Sequence, residues 1–217
     1  MDYFFTLAEL IGTVAFALSG ALKAIQKNLD IFGVCFLALF TALGGGVIRD
    51  LLLGRTPPRL FESEGYILVA IGVAVAAFLA VRFVHRKLDF GIWGDRIFNL
   101  CDALGLGIFA VIGTQAAAQA GLGDKAFLSI FLGMTTGVGG GVLRDLMCCE
   151  IPSVLRKHIY AVAAICGSLV YYVLTALGVW DAPATLAGVA VVVALRLLAR
   201  HYQWNLPRAL KETPKTH

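Results

Sequence analysis

Long apolar stretches separated by short polar segments dominate the sequence of this chain. Seven stretches approach the roughly 20 residues that an α-helix needs to cross the hydrocarbon core of a bilayer. They lie at residues 4–24, 31–53, 66–84, 97–120, 126–147, 159–178 and 183–200. The pattern predicts an all-α polytopic membrane protein with seven transmembrane helices, followed by a polar tail over 207–217 that we expect to be disordered.

The composition supports the same class of protein. Hydrophobic residues make up 59% of the chain and charged residues only 15%, whereas soluble domains are nearer half apolar and a quarter charged. The net charge of +4 does not indicate a nucleic-acid partner, because the basic residues are scattered between apolar stretches. The five cysteines lack the spacing of a metal site and fit small apolar core positions, so we expect no cofactor.

The charges between the stretches predict the orientation of the chain in the membrane. With the N-terminus on side one, that side receives three Lys and Arg residues and side two receives thirteen, when Arg49 and Arg144 are left out as intramembrane residues. Segments rich in Lys and Arg face the cytoplasm. We therefore expect the N-terminus outside and the C-terminus in the cytoplasm.

One motif occurs twice. The string Gly-Gly-Gly-Val-x-Arg-Asp-Leu lies at 44–51 and again at 139–146, an offset of 95 residues. The same offset aligns two threonines and two prolines, namely Thr41 with Thr136 and Pro57 with Pro152. The match indicates that the chain is a duplicated unit.

The duplicated unit contains three predicted helices. Because three is an odd number, the second copy must enter the membrane from the opposite side. We therefore predict two inverted three-helix repeats, at 1–88 and 96–178, with a seventh helix at 183–201 appended.

The glycine runs have two interpretations. Each glycine inside a helix costs about 1 kcal/mol relative to alanine, so three in a row favour a kink or an unwound turn. Broken helices at matching positions of inverted halves indicate a permeation or binding site. The alternative is close helix packing, which small residues permit. Small residues recur at every fourth position of both helices, at Gly133, Gly137 and Gly141 and at Ala38, Ala42 and Gly46.

Each glycine run is followed by an arginine and an aspartate. Neighbouring side chains on a helix point about 100° apart, so we do not expect Arg49 and Asp50 to neutralise each other, and each needs a partner elsewhere or water. The pair either belongs to an ion pathway or gate, or snorkels to the interface as a structural ion-pair lock. Inverted symmetry places Arg49 and Arg144 on opposite sides of the membrane midplane.

These arguments define the candidate residues. The candidates for an ion pathway or gate are Thr41, Gly44, Gly45, Gly46, Arg49, Asp50, Thr136, Gly139, Gly140, Gly141, Arg144 and Asp145. Ser19, Lys23 and Gln115 are candidates for secondary pore lining, although Lys23 and Asp102, each taken alone, fit the end of a span better. No motif of a catalytic site is found, so we do not expect an enzyme.

The doubled Gly-Gly-Gly-x-x-Arg-Asp motif, in a seven-span chain with inverted repeats, resembles the prokaryotic trimeric intracellular cation channel family. Its bacterial members are also described as a glycine-transporter-domain family. The resemblance covers about residues 1–178. One departure concerns Gly54, whose place in the second copy is taken by Cys149, so that the two halves need not be equivalent.

This resemblance implies a homotrimer in the bacterial plasma (inner) membrane. Each protomer would form a pore for monovalent cations, chiefly potassium, lined by the second and fifth helices, which are kinked at the glycine runs. The implied partners are further copies of the chain, membrane lipids and monovalent cations. Arginines near such a pore repel cations, so they must be paired with aspartates or must serve as a gate.

Two other functions stay open. The first is a carrier for glycine or a similar small zwitterion, whose carboxylate would bind the N-terminus of a broken helix. The second is a membrane scaffold or lipid-binding protein without transport activity.

Overall fold

The computed structural model describes residues 2–61, 64–84, 90–156 and 159–204, and these residues form helices joined by short turns. In chain order the helices are α1 (Asp2–Gln26), α2 (Ile31–Leu52), α3 (Glu64–Val84), α4 (Phe90–Gln119), α5 (Ala126–Met147), the single turn α6 (Ser153–Arg156), α7 (Tyr160–Ala176) and α8 (Asp181–His201). A short 3₁₀ turn at Arg59–Phe61 follows α2. The predicted all-α class is confirmed.

Among the described residues, six helices are long and apolar enough to cross a membrane, namely α1, α2, α3, α4, α5 and α8. The apolar helix α7 has 17 residues, at the lower limit for a span, so a seventh crossing stays a prediction. The fifth predicted stretch coincides with α5, but α4 begins seven residues earlier than predicted. The predicted tail at 207–217 lies outside the described residues.

The helices α2 and α5 cross with their backbones in contact. A Cβ atom on Gly45 would overlap the carbonyl oxygen of Thr136, and a Cβ atom on Gly140 would overlap that of Thr41. Each contact is thus repeated with the equivalent residues of the two helices interchanged. Residues that come later in α2 contact residues that come earlier in α5. The neighbouring contacts follow the same rule, Gly44 with Leu143 and Gly139 with Ile48. This antiparallel reciprocity is what a two-fold axis perpendicular to both helices produces, so the two copies are inverted.

The first helices of the two repeats obey the same symmetry. The rings of Phe16 and Phe109 lie 5.3 Å apart, between α1 and α4. Gly12 packs on Phe109 and Gly105 packs on Phe16, so equivalent residues again exchange partners. Helix α8 lies outside this symmetry and, among the described residues, packs chiefly on the second repeat, against α4 and α7.

The predicted unwound turn in the glycine runs is wrong. Helices α2 and α5 continue without interruption through 44–46 and 139–141, so their backbone groups stay in the helical hydrogen-bond ladder. The close interhelical contact compensates for the low helix propensity of glycine, since a side chain at Gly45 or Gly140 would push the helices apart. Gly133 and Gly137 likewise lie against the backbone of α4. Close packing is therefore the demonstrated role of these glycines, and a bend without unwinding stays a prediction.

The turn after each of the two crossing helices is also shared. Gly54 has a φ of 70°, and Cys149 at the matching position has a φ of 54°. In both turns the next residue donates its backbone N–H to the carbonyl of the motif aspartate, at 2.8 Å from Arg55 to Asp50 and at 2.9 Å from Glu150 to Asp145. The loss of the second glycine therefore leaves the backbone equivalence intact.

Ion pairs join the end of α1 to the segment after α5. Glu150 accepts from Lys23 and from Lys27, each at 2.6 Å. These hydrogen bonds lower the pKa of the Glu150 carboxyl to about 2, and the same contact raises the pKa of Lys27. Lys23 thus occupies the last turn of α1, which fits the interpretation as a span-end residue.

The crossing predicts opposite outcomes for two adjacent glycines. Replacing Gly45 by alanine places a methyl group against the Thr136 carbonyl, and such overpacking lowers the free energy of unfolding by about 1–3 kcal/mol. The matched control is Gly46→Ala, whose nearest neighbour lies 3.9 Å away. We expect that control to be neutral or to gain up to about 1 kcal/mol from helix propensity. Thermal unfolding in detergent measures both, and equal melting temperatures would contradict the packing role.

The Glu150 ion pairs predict a pH-dependent stability. The pKa of Glu150 is lowered from its ordinary value of 4.5 to about 2, so its stabilising contribution is complete above pH 4.5 and is lost as the pH falls toward 2. The partly exposed pair contributes at most about 1 kcal/mol. Wild type should melt above Glu150→Gln at neutral pH, and this difference should shrink below pH 4.5. Glu64→Gln, at an exposed position, is the control, and a difference independent of pH would refute the assignment.

Candidate functional site

Arg144, near the end of α5, has no exposed surface and is held by acidic groups. Its Nε donates to Oδ1 of Asp145 at 2.9 Å. Its Nη1 donates to Oδ1 of Asp102 on α4 at 2.6 Å and to the Ser19 hydroxyl on α1 at 3.2 Å. The other oxygen of Asp145 accepts from the backbone N–H of Ser153 at 2.6 Å, which ties the motif to the start of α6.

Asp102 is the centre of this group. The Tyr160 hydroxyl on α7 donates to its Oδ1 at 3.2 Å, and Nη2 of Arg196 on α8 lies 3.4 Å from its Oδ2. The guanidinium carbon of Arg196 lies 4.5 Å from the centroid of the Tyr160 ring, a cation–π distance. We call Ser19, Asp102, Arg144, Asp145, Tyr160 and Arg196 the Arg144 site. Two arginines and two aspartates make its formal charge zero.

The equivalent pair on α2 is built in the same way. Nε of Arg49 donates to Oδ1 of Asp50 at 2.8 Å, and Oδ2 of Asp50 accepts from the backbone N–H of Arg59 at 3.0 Å. Tyr66 at the start of α3 lies close to the carboxylate of Glu9 on α1. Glu9 and Tyr66 line a cavity together with Arg49 and Asp50. We call Glu9, Arg49, Asp50, Arg59 and Tyr66 the Arg49 site.

The two sites share four matching side chains. An arginine and an aspartate repeat at an offset of 95 residues. An acidic residue of the first helix of each repeat recurs at an offset of 93, and a tyrosine of the third helix recurs at an offset of 94. The matching pairs are Arg49 with Arg144, Asp50 with Asp145, Glu9 with Asp102, and Tyr66 with Tyr160. Because α2 and α5 are antiparallel, the two sites lie on opposite sides of the Gly45–Gly140 contact. The duplicated feature is therefore a buried charge cluster and not only a sequence motif.

The two sites differ in their access to open space. Arg49 lines a cavity of about 320 Å³ and a second one of about 150 Å³, and Glu9 and Arg59 line both. Gln115 and Gln119 line the smaller cavity and also a third one of about 510 Å³ that reaches Asp181. Arg144, by contrast, is enclosed by side chains of α1, α4 and α7. The Arg49 site thus borders cavities, whereas the Arg144 side chain is completely buried.

Two sequence-based expectations are corrected here. Arg49 and Asp50 do neutralise each other, as do Arg144 and Asp145. The 100° rule describes the directions of the Cα–Cβ bonds, whereas the long arginine side chain folds back so that its Nε reaches the neighbouring carboxylate. Asp102 does not lie at the end of its helix, because α4 begins at Phe90 and Asp102 is buried three turns later.

The other candidate residues divide between the site and the packing. Ser19 belongs to the Arg144 site, Gly46 lines the larger Arg49 cavity, and Gln115 lines two cavities. Thr41 and Thr136 are fully buried, and each hydroxyl donates to a carbonyl of its own helix at 2.6 Å. Their role in this structure is to pack at the helix crossing.

Five residues of the two sites were missed from the sequence, namely Glu9, Arg59, Tyr66, Tyr160 and Arg196. Glu9 and Asp102 become equivalent only when the repeat offset changes from 95 to 93 between the first and second helices. The tyrosines of the third helices require a different offset, of 94. Arg196 was counted among the charges outside the membrane, although apolar residues precede and follow it.

Comparison with known proteins places the chain in a family. A family model described as "Glycine transporter" matches it twice, at residues 6–82 and 99–176. The UPF0126 membrane protein of Vibrio cholerae serotype O1 is 38% identical over 93% of this chain and 81% of its own length. The UPF0126 inner membrane protein YadS of Escherichia coli K12 is 35% identical over 92% of this chain and 93% of its own length.

Solved structures agree with these matches. A TRIC trimeric intracellular cation channel orthologue from Rhodobacter sphaeroides superposes with a TM-score of 0.82 at 35% identity, over 93% of this chain and 99% of that one. A prokaryotic TRIC channel crystallised in 0.5 M KCl gives a TM-score of 0.84 at 34% identity, over 95% of this chain and 100% of that one. The doubled family match, the relatives above 30% identity and the shared fold together show that the chain belongs to the prokaryotic TRIC family of membrane proteins, whose repeat is described as a glycine transporter.

Proposed function

We propose that the chain is a channel for monovalent cations, chiefly potassium, and that it works as a homotrimer with one pore in each protomer. The observation that carries the proposal is the duplicated charge cluster on the two sides of the α2–α5 crossing, one copy opening on cavities and the other closed. Similarity to TRIC cation channels supports the same function. The proposed partners are two further copies of the chain, membrane lipids and the permeant cations.

The proposed pathway enters through the cavities of the Arg49 site. Asp50 neutralises Arg49, and Glu9 and the amides of Gln115 and Gln119 supply oxygen atoms that suit a cation. This pairing removes the repulsion that an unpaired arginine would exert on a passing cation. The pathway continues beside the Gly45–Gly140 contact and ends at the Arg144 site, which must rearrange before ions pass.

Carriage of a small zwitterion is the second candidate. The description of the matching family as a glycine transporter favours it, and the Arg49 site offers charges of both signs to a carboxylate and an ammonium group. A carrier saturates with substrate and passes no current in the absence of that substrate. The two functions are therefore separable by experiment.

The channel proposal predicts currents that depend on Asp50. Native mass spectrometry of the purified protein should show three copies of the 23.2 kDa chain. In planar bilayers these trimers should pass currents that reverse with the potassium gradient. Asp50→Asn leaves Arg49 unneutralised beside the cavity, and a unit positive charge repels a cation about 8 Å away by roughly 2 kcal/mol at an effective dielectric constant of 20. We expect more than a tenfold loss of conductance.

The control for that experiment is Asp124→Asn, which changes a charge in the turn between α4 and α5. This control should conduct like wild type. Trimers without potassium current that instead accumulate glycine saturably in liposomes would replace the channel by the carrier. Trimers that do neither would support the scaffold interpretation.

We further propose that the protein resides in the bacterial plasma membrane with its N-terminus outside and its C-terminus in the cytoplasm. The excess of basic residues on one side carries this orientation. A fluorescent protein fused after His217 should therefore fluoresce in cells. A cysteine placed at Tyr3 should react with an impermeant maleimide added outside the cells, and labelling only after lysis would reverse the assignment.

A further inference from the structure

Helix α8 contributes a single charged side chain to the buried charge clusters. Arg196 is 8% exposed and reaches Asp102 in the Arg144 site, although α8 belongs to neither repeat. In the Arg49 site, the second arginine is Arg59, which is exposed and lies beside the cavities. The Arg144 site and the Arg49 site thus differ in whether their second guanidinium is buried.

Asp102 bridges two arginines, and its contact with Arg196 is the weaker of the two. Asp102 binds Arg144 at 2.6 Å through one oxygen and Arg196 at 3.4 Å through the other. The Nε of Arg196 and the Nη2 of Arg144 are buried and have no hydrogen-bond partner among the described residues. Unsatisfied buried donors reduce the stability of this arrangement relative to another one. The long Arg196–Asp102 contact is therefore the one that breaks at the lowest cost.

The formal charges of the Arg144 site show what the release of Arg196 would do. With Arg196 in place, two arginines face two aspartates and the site is neutral. Without it, Asp102, Asp145 and Arg144 leave a net charge of −1. A net negative charge in a narrow, weakly solvated passage attracts cations and excludes anions.

Helix α8 is in close backbone contact with α7 at one point. The backbones of Gly167 on α7 and Gly188 on α8 are in close contact, since a Cβ atom on Gly188 would lie 2.9 Å from the Gly167 carbonyl oxygen. Arg196 lies eight residues further along α8, which is roughly 12 Å at the rise of an α-helix. A tilt of α8 about the glycine contact therefore moves Arg196 while the contact itself stays in place.

We propose that Arg196 is a latch, and that α8 is a regulatory helix that opens the Arg144 site to cations when it withdraws Arg196 from Asp102. Arg196 acts through Asp102 and Tyr160 and is a positioning residue for the passage. The inference rests on the proposed channel function and adds the element that regulates it.

The test compares Arg196→Gln with wild type in planar bilayers under a potassium chloride gradient. Loss of the latch should raise the open probability at least about threefold. The reversal potential should stay at its wild-type value, because withdrawal of Arg196 already leaves the open wild-type site with the same negative charge. The matched control is Arg200→Gln, one turn further along α8, where the exposed arginine donates to the backbone carbonyl of Asp95. This control should behave like wild type.

A second variant keeps the test decisive if Arg196→Gln does not fold. Arg196→Lys retains the charge but cannot lie flat on the Tyr160 ring while bonding to Asp102. We expect a higher open probability with an unchanged reversal potential. A folded Arg196→Gln protein that conducts no more than wild type overturns the latch, as does a lysine variant with wild-type opening. Absence of current from wild type and every variant rejects the channel function itself.

Discussion

The backbone contact between α2 and α5 is the constraint on which the rest of the structure depends. At Gly45 and Gly140 the carbonyl of one helix occupies the space of a Cβ atom on the other. This close approach fixes the two-fold axis and sets the two Arg-Asp pairs at equal distances from it. It also brings the first helix of each repeat close enough to supply an acidic residue to the site. A bulkier residue at the crossing would separate all of these elements together.

The four charged motif residues can be buried between apolar helices because each aspartate makes two stabilising contacts. One oxygen neutralises the preceding arginine, and the other accepts a backbone N–H from the segment that follows, at Arg59 or at Ser153. An unpaired charge at such a position would cost several kcal/mol. In Arg144 the local pairing leaves Nη1 to bind Asp102 and Ser19. In Arg49 both Nε and Nη2 pair with Asp50, and the side chain lines a cavity.

The helices could be predicted because the apolar stretches are long enough to cross a bilayer. The inversion could be predicted because a repeat with an odd number of helices must enter the membrane from the opposite side in its second copy. The fifth stretch was placed within the bounds that the structure gives to α5. The site was predicted only in part. Its motif residues repeat at one offset, but Glu9 and Tyr66 follow the offsets of other helices, and Arg196 has no repeat partner. The way an arginine folds back on its neighbour, or whether a glycine run unwinds, depends on the surrounding helices and not on the local sequence.

The turn that follows each motif gives the two ends of the molecule different charges. Cys149 adopts the left-handed conformation of Gly54 at a cost of about 1–2 kcal/mol for a residue with a side chain. The strained turn places Glu150 against Lys23 and Lys27, whereas the equivalent turn presents Arg55. The duplication has thus preserved a backbone shape while reversing the charge that it carries. A fold with two-fold symmetric helices acquires in this way two chemically different faces.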